Sequence, residues 1–259
     1  YSDGTLQVAN SVIRGNWAHG GGGIAARNAV TIVDSTLSGN SAWYISGTSS
    51  GHGGGIYLWD GTVRIARSTL SGNSAVWSSV GGYGGGGLYN EAAAVTIANS
   101  TVSGNTGSNG MVGGIASAGG TLAVVNSTVT ANTGGVGGIF RTGGTTTVSN
   151  SIVAGQASGT DCGGEIFSSG SNLDSDGTCA LAQVGDISAG FAGLGPLADN
   201  GGLTWTHPLL PGSAALDAGD DAVCAVDPVN GVDQRGLTRP VDGDGDGTAS
   251  CDIGAYEYP

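Results

Sequence analysis

The 259-residue sequence has no lysine, one methionine and three phenylalanines, and only 10% of its residues are charged. With seven arginines as its whole basic complement, the chain lacks the positive surface that a phosphate backbone requires, which excludes nucleic acid as a partner. No apolar run approaches the ~20 residues of a membrane-spanning helix, so no membrane span is expected. Proline does not occur before residue 196, and a stretch free of it keeps every backbone N–H available for strand pairing. Cysteine occurs only at Cys162, Cys179, Cys224 and Cys251. Their spacing fits no zinc pattern, and no histidine sits near them as such sites require.

What is abundant is glycine, at 53 residues, alongside an apolar content of 39%. Disordered chains combine high charge with few β-branched residues; here Val, Ile and Leu recur at regular places, so a core can form. Charge is uneven. Residues 1–160 carry Asp3, Asp34, Asp60 and Glu91 against five arginines, whereas residues 161–259 carry the other sixteen acids with Arg235 and Arg239. The net charge of −13 therefore resides in the C-terminal part, where it suits solvation or cation binding. All four cysteines lie there too. Two disulfides are expected, which implies an oxidising compartment. Of three possible connectivities, neighbour pairing, Cys162–Cys179 and Cys224–Cys251, is preferred.

One template recurs. Leu6-Gln7-Val8-Ala9-Asn10-Ser11-Val12-Ile13-Arg14-Gly15-Asn16 is repeated at Val30 to Asn40, Val63 to Asn73, Val95 to Asn105 and Leu122 to Asn132, with a degenerate copy from Thr146 to Gly155. A second motif, glycine before an aliphatic residue, falls between copies at Gly23-Ile24, Gly55-Ile56, Gly87-Leu88, Gly114-Ile115 and Gly138-Ile139. Alternation such as Val30-x-Ile32 has the period of a strand, and Gly, Asn and Ser supply the turns. Six copies, with loop insertions at 41–52, 74–84 and 106–112, predict an all-β, right-handed parallel β-helix of about six or more rungs over residues 1–160. Residues 161–259 are expected to form an irregular, disulfide-stapled acidic region packed on the helix or continuing it. A single rung cannot bury its apolar face, so stacking makes the core. The closing Asn16, Asn40, Asn73, Asn105 and Asn132 are expected to stack as a hydrogen-bonded amide ladder.

The template and its Gly-Gly-Ile partner resemble the repeats of bacterial right-handed parallel β-helix proteins and of polymorphic outer-membrane proteins. In that pattern Tyr1 opens within a rung, so upstream residues are expected. Towards the C-terminus come Asn200-Gly201-Gly202-Leu203-Thr204, Thr206-His207-Pro208-Leu209-Leu210-Pro211-Gly212-Ser213 and Ala215-Leu216-Asp217-Ala218-Gly219. Asp233-Gln234-Arg235-Gly236, Arg239-Pro240 and Asp252-Ile253-Gly254-Ala255-Tyr256-Glu257 follow. This succession resembles the C-terminal region of choice-of-anchor Q β-helix proteins. The resemblance implies a secreted or surface-attached bacterial protein and no particular reaction.

Catalytic chemistry is hard to assemble from these residues. A glycosidase needs two carboxylates flanking the bond, and the best pair is Asp60 with Glu91, one rung apart. Asp34 takes a turn position that is Asn in other copies. His52, in Gly51-His52-Gly53, reads as a turn residue. No catalytic residues are assigned, and the chain is read as a non-enzyme. Asp242-Gly243-Asp244-Gly245-Asp246-Gly247 alternates carboxylates with glycine as calcium loops do. Ile253 holds the place of the usual closing glutamate, so Asp252 is its expected substitute in a structural calcium site of Asp242, Asp244, Asp246 and Asp252. Stacking also aligns Thr36, Thr69, Thr101 and Thr128 beside Ser38, Ser71, Ser103 and Thr130 as a hydroxyl face, read as solvated strand surface. Trp17, Trp43, Trp59 and Trp77 are candidate contacts for glycans or partner proteins.

Two functional classes follow: an extracellular structural or adhesive surface protein, assembling head-to-tail with other copies into a filament; or a carbohydrate-binding or polysaccharide-degrading module.

Overall fold

A computed structural model of the chain describes residues 1–43, 51–76 and 84–259. Seven coils start at Leu6, Val30, Thr62, Ala94, Thr121, Thr145 and Phe167, and their first strands form one parallel sheet. A second seven-stranded parallel sheet runs from Val12–Arg14 through Thr36–Ser38, Thr69–Ser71, Thr101–Ser103, Thr128–Thr130 and Ile152–Ala154 to Leu173–Asp174. The remaining faces form a third sheet, whose two halves are joined by the nine-residue strand Thr133–Arg141. Like residues pair with like: Leu70 lies over Leu37 and Val102, and Ile97 over Ile65 and Val124. This is a parallel β-helix, about 29 Å long at ~4.8 Å per coil. The ladders continue past residue 160, through Ser158–Gly163 and Phe167–Ser168 to Leu173–Asp174.

The period-two pattern explains the core. Ile32, Ile65, Ile97, Val124 and Val148 point inward from the first sheet, and Leu37, Leu70, Val102 and Val129 from the second, all essentially inaccessible. Each such burial stabilises the coil by roughly 1.5–3 kcal/mol.

Two polar ladders hold the corners. The Asn40, Asn73, Asn105 and Asn132 side chains are buried, and each Nδ2 donates to the Oδ1 of the next at 2.9–3.0 Å as far as Asn132. Asn16, exposed, donates to Asn40, and Gln156 Oε1 closes the column by accepting from Asn132. The glycine motif makes room for it. A Cβ at Gly55 would sit 3.1 Å from the Asn73 amide and 2.5 Å from the carbonyl oxygen of Gly87. At the other corner the serines that mark the repeat form a second column: the N–H of Ser35, Ser68, Ser100 and Ser127 each donates to the next serine Oγ at 3.1–3.2 Å.

After Asp174 the chain becomes irregular, apart from a bridge of Ile187 to Leu173, and its later segments lie on the outer face of the second sheet. One short helix, Asp221–Ala225, is capped by Asp220, whose carboxylate accepts from the Ala222 N–H. The disulfides are Cys162–Cys179, beside the last coils, and Cys224–Cys251, which ties this helix to the terminal segment. A second apolar cluster, including Ile152, Leu173, Leu209, Ile253 and Tyr256, seats the region on the coils.

Candidate binding surface

The C-terminal region docks by taking up the hydroxyl face. Thr69 Oγ1 donates to the carbonyl oxygen of Trp205 at 2.6 Å, Thr101 Oγ1 donates to Gln234 Oε1 at 2.7 Å, and Thr128 Oγ1 accepts from the Ala255 N–H at 3.1 Å. Gln234 Nε2 returns to Thr69 and Thr204. The expectation of a solvated hydroxyl face therefore needs correction: Thr69, Thr101, Ser103, Thr128 and Thr130 are buried. Only coils 1 and 2 and the edge of coil 3 stay open, where Thr36, Ser38 and Ser71 are half-buried.

Ser103 Oγ lies 2.8 Å from His207 Nε2, while His207 Nδ1 lies 2.7 Å from the carbonyl oxygen of Gly195. A carbonyl only accepts, so Nδ1 carries the proton and Nε2 accepts from the serine. This is the polarity of a nucleophile and its base. However, both residues are buried, at 3% and 7% exposure, and a carbonyl stands where such pairs use a carboxylate. The pair serves as a tether between coil 4 and the docked segment.

Where the docked segment ends, a cleft of about 340 Å³ opens between Trp205 and Leu203 on one side and Val12 and Arg14 on the other, over Thr36, Ser38, Thr69 and Ser71. The Thr69–Trp205 bond fixes the backbone under the indole, which itself projects outward.

Within the docked region, the terminal motifs form a buried charged network. Asp233 accepts from Arg235 Nε at 2.7 Å and from the Glu257 N–H, and the Arg235 guanidinium lies 3.7 Å above the Tyr256 ring. Arg239 approaches Glu257 at 3.5 Å with both side chains inaccessible, and donates to the carbonyl of Gly254. Burial depresses the Arg239 pKa and pushes Asp252 up to about 6 and Glu257 up to about 7. These carboxyls bind protons more tightly folded than unfolded, so their stabilisation is complete below the ordinary carboxylate range and is lost as pH rises through about 6 to 7. Burial lowers the His207 pKa, so its stabilisation runs the other way and is lost as pH falls below about 6.5. Two acids outweigh one imidazole. Thermal unfolding is expected to shift upward by several degrees between about pH 8 and pH 5.5, on the order of 2 kcal/mol, with Glu257→Gln flattening the rise. Melting curves across that range check this; a rise in the opposite direction contradicts it.

The acidic loop gathers differently from the sequence expectation. Asp217, Asp242 and Asp244 each place a carboxylate oxygen within 4.8 Å of the others. Asp246 accepts from the Thr248 N–H within its own turn. Asp252 is buried and accepts from the N–H groups of Asp217 and Tyr258. Neither joins the group, because Asp252 is committed to folding the terminal segment. Asp217, twenty-five residues before the loop, takes its place and also accepts from the Asp244 N–H at 2.8 Å.

The flank formed by the third sheet carries Trp17, Trp43 and Trp59. Trp17 and Trp43 are exposed on coils 1 and 2; Trp17 leans on His19 at 5.5 Å, and Trp43 Nε1 donates to Ser41. Trp59 packs within a cluster, 4.1 Å from Tyr57 and under Arg27 at 5.2 Å, with Tyr1 edge-on. His52 stacks on Tyr89 at 4.6 Å. Tyr57 donates to Glu91; burial first, and then this bond, hold its phenol above the usual range. Glu91 is thus engaged with Tyr57, and Asp60 accepts from the Asn28 N–H. Arg67 pairs with Asp34 through two bonds of 2.7 and 2.8 Å, joining adjacent coils. Trp77 lies outside the described residues.

Trp205 and Asp217 are missing from the sequence-derived candidates. Trp205 sits between two motifs read only for their resemblance, and Asp217 lies too far from the acidic loop for spacing to link them. No family model matches this chain, and neither a curated protein nor a solved structure matches it.

Proposed function

We propose that this chain is a non-catalytic, extracellular structural or adhesive surface module, in which the stacked coils supply a stiff support and the first coils present the contact surface. The observation that carries this reading is where the exposed tryptophans among the described residues fall. Trp17, Trp43 and Trp205 are 58%, 48% and 55% exposed, and all three flank coils 1 to 3. Single exposed apolar residues are ordinary, but several on adjoining faces mark an interaction site. Two disulfides support an oxidising, extracellular setting. Among the described residues no helix is long and apolar enough to cross a membrane.

Affinity electrophoresis through gels containing different extracellular polysaccharides, with reducing ends counted in parallel, tests this. Retardation without new reducing ends supports an adhesive module, and Trp17→Ala with Trp43→Ala should weaken it. New reducing ends favour the polysaccharide-degrading alternative. Head-to-tail association of copies belongs to the same proposal, since stacked strands offer backbone groups for further pairing; light scattering over a concentration series reads it.

Structural calcium at Asp217, Asp242 and Asp244 is a further part of this reading, because three converging carboxylates are a hard-oxygen donor set. Millimolar calcium is expected to stabilise the wild type by about 1–3 kcal/mol. Asp217→Asn should abolish the gain, and a melting temperature indifferent to calcium and chelator sinks it.

A further inference from the structure

Coils 3 to 5 show what the hydroxyl grid of the second sheet binds. Four of the hydroxyls there, those of Thr69, Thr101, Ser103 and Thr128, each meet a hydrogen-bonding group of the docked segment: the Trp205 carbonyl, the Gln234 amide, the His207 imidazole and the Ala255 N–H. The same grid continues under the cleft, where the Thr36, Ser38 and Ser71 hydroxyls have no side-chain partner among the described residues and face solvent. Neighbouring coils repeat these hydroxyls every ~4.8 Å, close to the advance of a pyranose unit along an extended chain. The Trp205 indole, at one wall, makes no ring contact and no hydrogen bond through Nε1 with a described residue, and is 55% exposed. Its face suits the C–H face of a sugar ring. Arg14, at the opposite wall, forms no ion pair or hydrogen bond with a described residue, and no carboxylate lines the cleft. In a chain of net charge −13, an unpaired guanidinium beside a polar floor complements a carboxylate brought by the ligand.

We propose that this cleft binds an extended acidic oligosaccharide, one sugar ring stacked on Trp205, its hydroxyls on Thr36, Ser38 and Ser71, and a uronic carboxylate on Arg14. The proposal rests on the reading of the chain as a binding module and names the class of ligand and its seat.

The test is calorimetric titration of the whole chain with two hexasaccharides differing only in charge, a β-1,4-linked glucuronic acid hexamer and the matching glucose hexamer. The acidic hexamer should bind at least about tenfold more tightly than the neutral one. Arg14→Gln should remove that preference, Trp205→Ala should weaken both by about tenfold or more, and Trp205→Phe should restore most of the loss. The indole and guanidinium project from the surface, so melting temperatures should stay unchanged. Equal affinity for the two hexamers, or an acidic preference that survives Arg14→Gln, overturns the proposal. Binding that survives Trp205→Ala but is lost with Trp17→Ala and Trp43→Ala also overturns it, while leaving the adhesive reading intact. No binding of either hexamer overturns it as well, and polysaccharide retardation then decides separately whether the adhesive reading falls.

Discussion

Asn73→Ala should destabilise the protein by about 3–5 kcal/mol, lowering the melting temperature by roughly 10 °C. The side chain makes four bonds inside the coil. Its Oδ1 accepts from both the backbone N–H and the Nδ2 of Asn40 at 3.0 Å, and its Nδ2 donates to the Leu37 carbonyl and to Asn105 Oδ1, also at 3.0 Å. Truncation leaves those partners buried without water, each costing about 1–3 kcal/mol before relaxation. It also opens a void beside Gly55, where a Cβ would come within 3.1 Å of the Asn73 amide. Asn16→Ala is the control. The Asn16 side chain makes a single bond, from Nδ2 to Asn40 Oδ1, and is exposed, so the loss should stay near 1 kcal/mol. Urea unfolding of the two variants measures the difference. Equal losses would mean that the amide column is incidental to the stacking.

Arg239→Met should cost a similar amount, about 3–5 kcal/mol at pH 8, and much less at pH 5. Breaking a buried pair is expensive because the remaining charge has no water and no partner. Glu257, with its side chain 1% exposed, would be that charge. Its carboxyl, pushed up to about 7 by burial, takes a proton on mild acidification, and the penalty then fades. Adding Glu257→Gln to Arg239→Met should recover most of the stability at pH 8, since the amide can still accept from the Val241 N–H, as Glu257 does at 2.9 Å. Because Glu257 and Arg239 belong to the docked segment, the transition should begin there and spare the coils. Near-ultraviolet circular dichroism, dominated by the aromatic residues, follows it. A penalty independent of pH contradicts the assignment of Glu257 as the stranded group.

The coils were legible because a repeat states its structure many times over. Val30-x-Ile32 and its copies show the period of a strand, and the recurrence of Asn40, Asn73 and Asn105 shows which positions must stack. The serine column was open to the same logic, since Ser35, Ser68, Ser100 and Ser127 hold one place in each copy, yet serine is common enough in turns to pass as one. The docking of the terminal region was not legible. Thr69 meets Trp205 across 136 residues, and no period or spacing links two segments that far apart. Viewed coil by coil, a row of threonines and serines looks like outward, wetted strand surface. Only the tertiary fold shows which of them are covered. The acidic loop illustrates the same limit: alternation with glycine drew Asp242 and Asp244 together, but the third carboxylate, Asp217, arrives from a separate segment.

The central claim is that the acidic C-terminal region is part of the β-helix's own fold, and that it leaves only the first coils free to bind. Amide hydrogen exchange of the native protein, resolved by peptide mass spectrometry, tests this most directly. Ile253 donates to the carbonyl of Ala215, Gly254 to that of Asn150, and Thr206 to that of Ala198. The account therefore predicts that amides around residues 204–207 and 252–257 exchange nearly as slowly as those of coils 3 to 5. Exchange there within seconds, while the coils stay protected, would show the region loose in solution and the hydroxyl face open along its whole length.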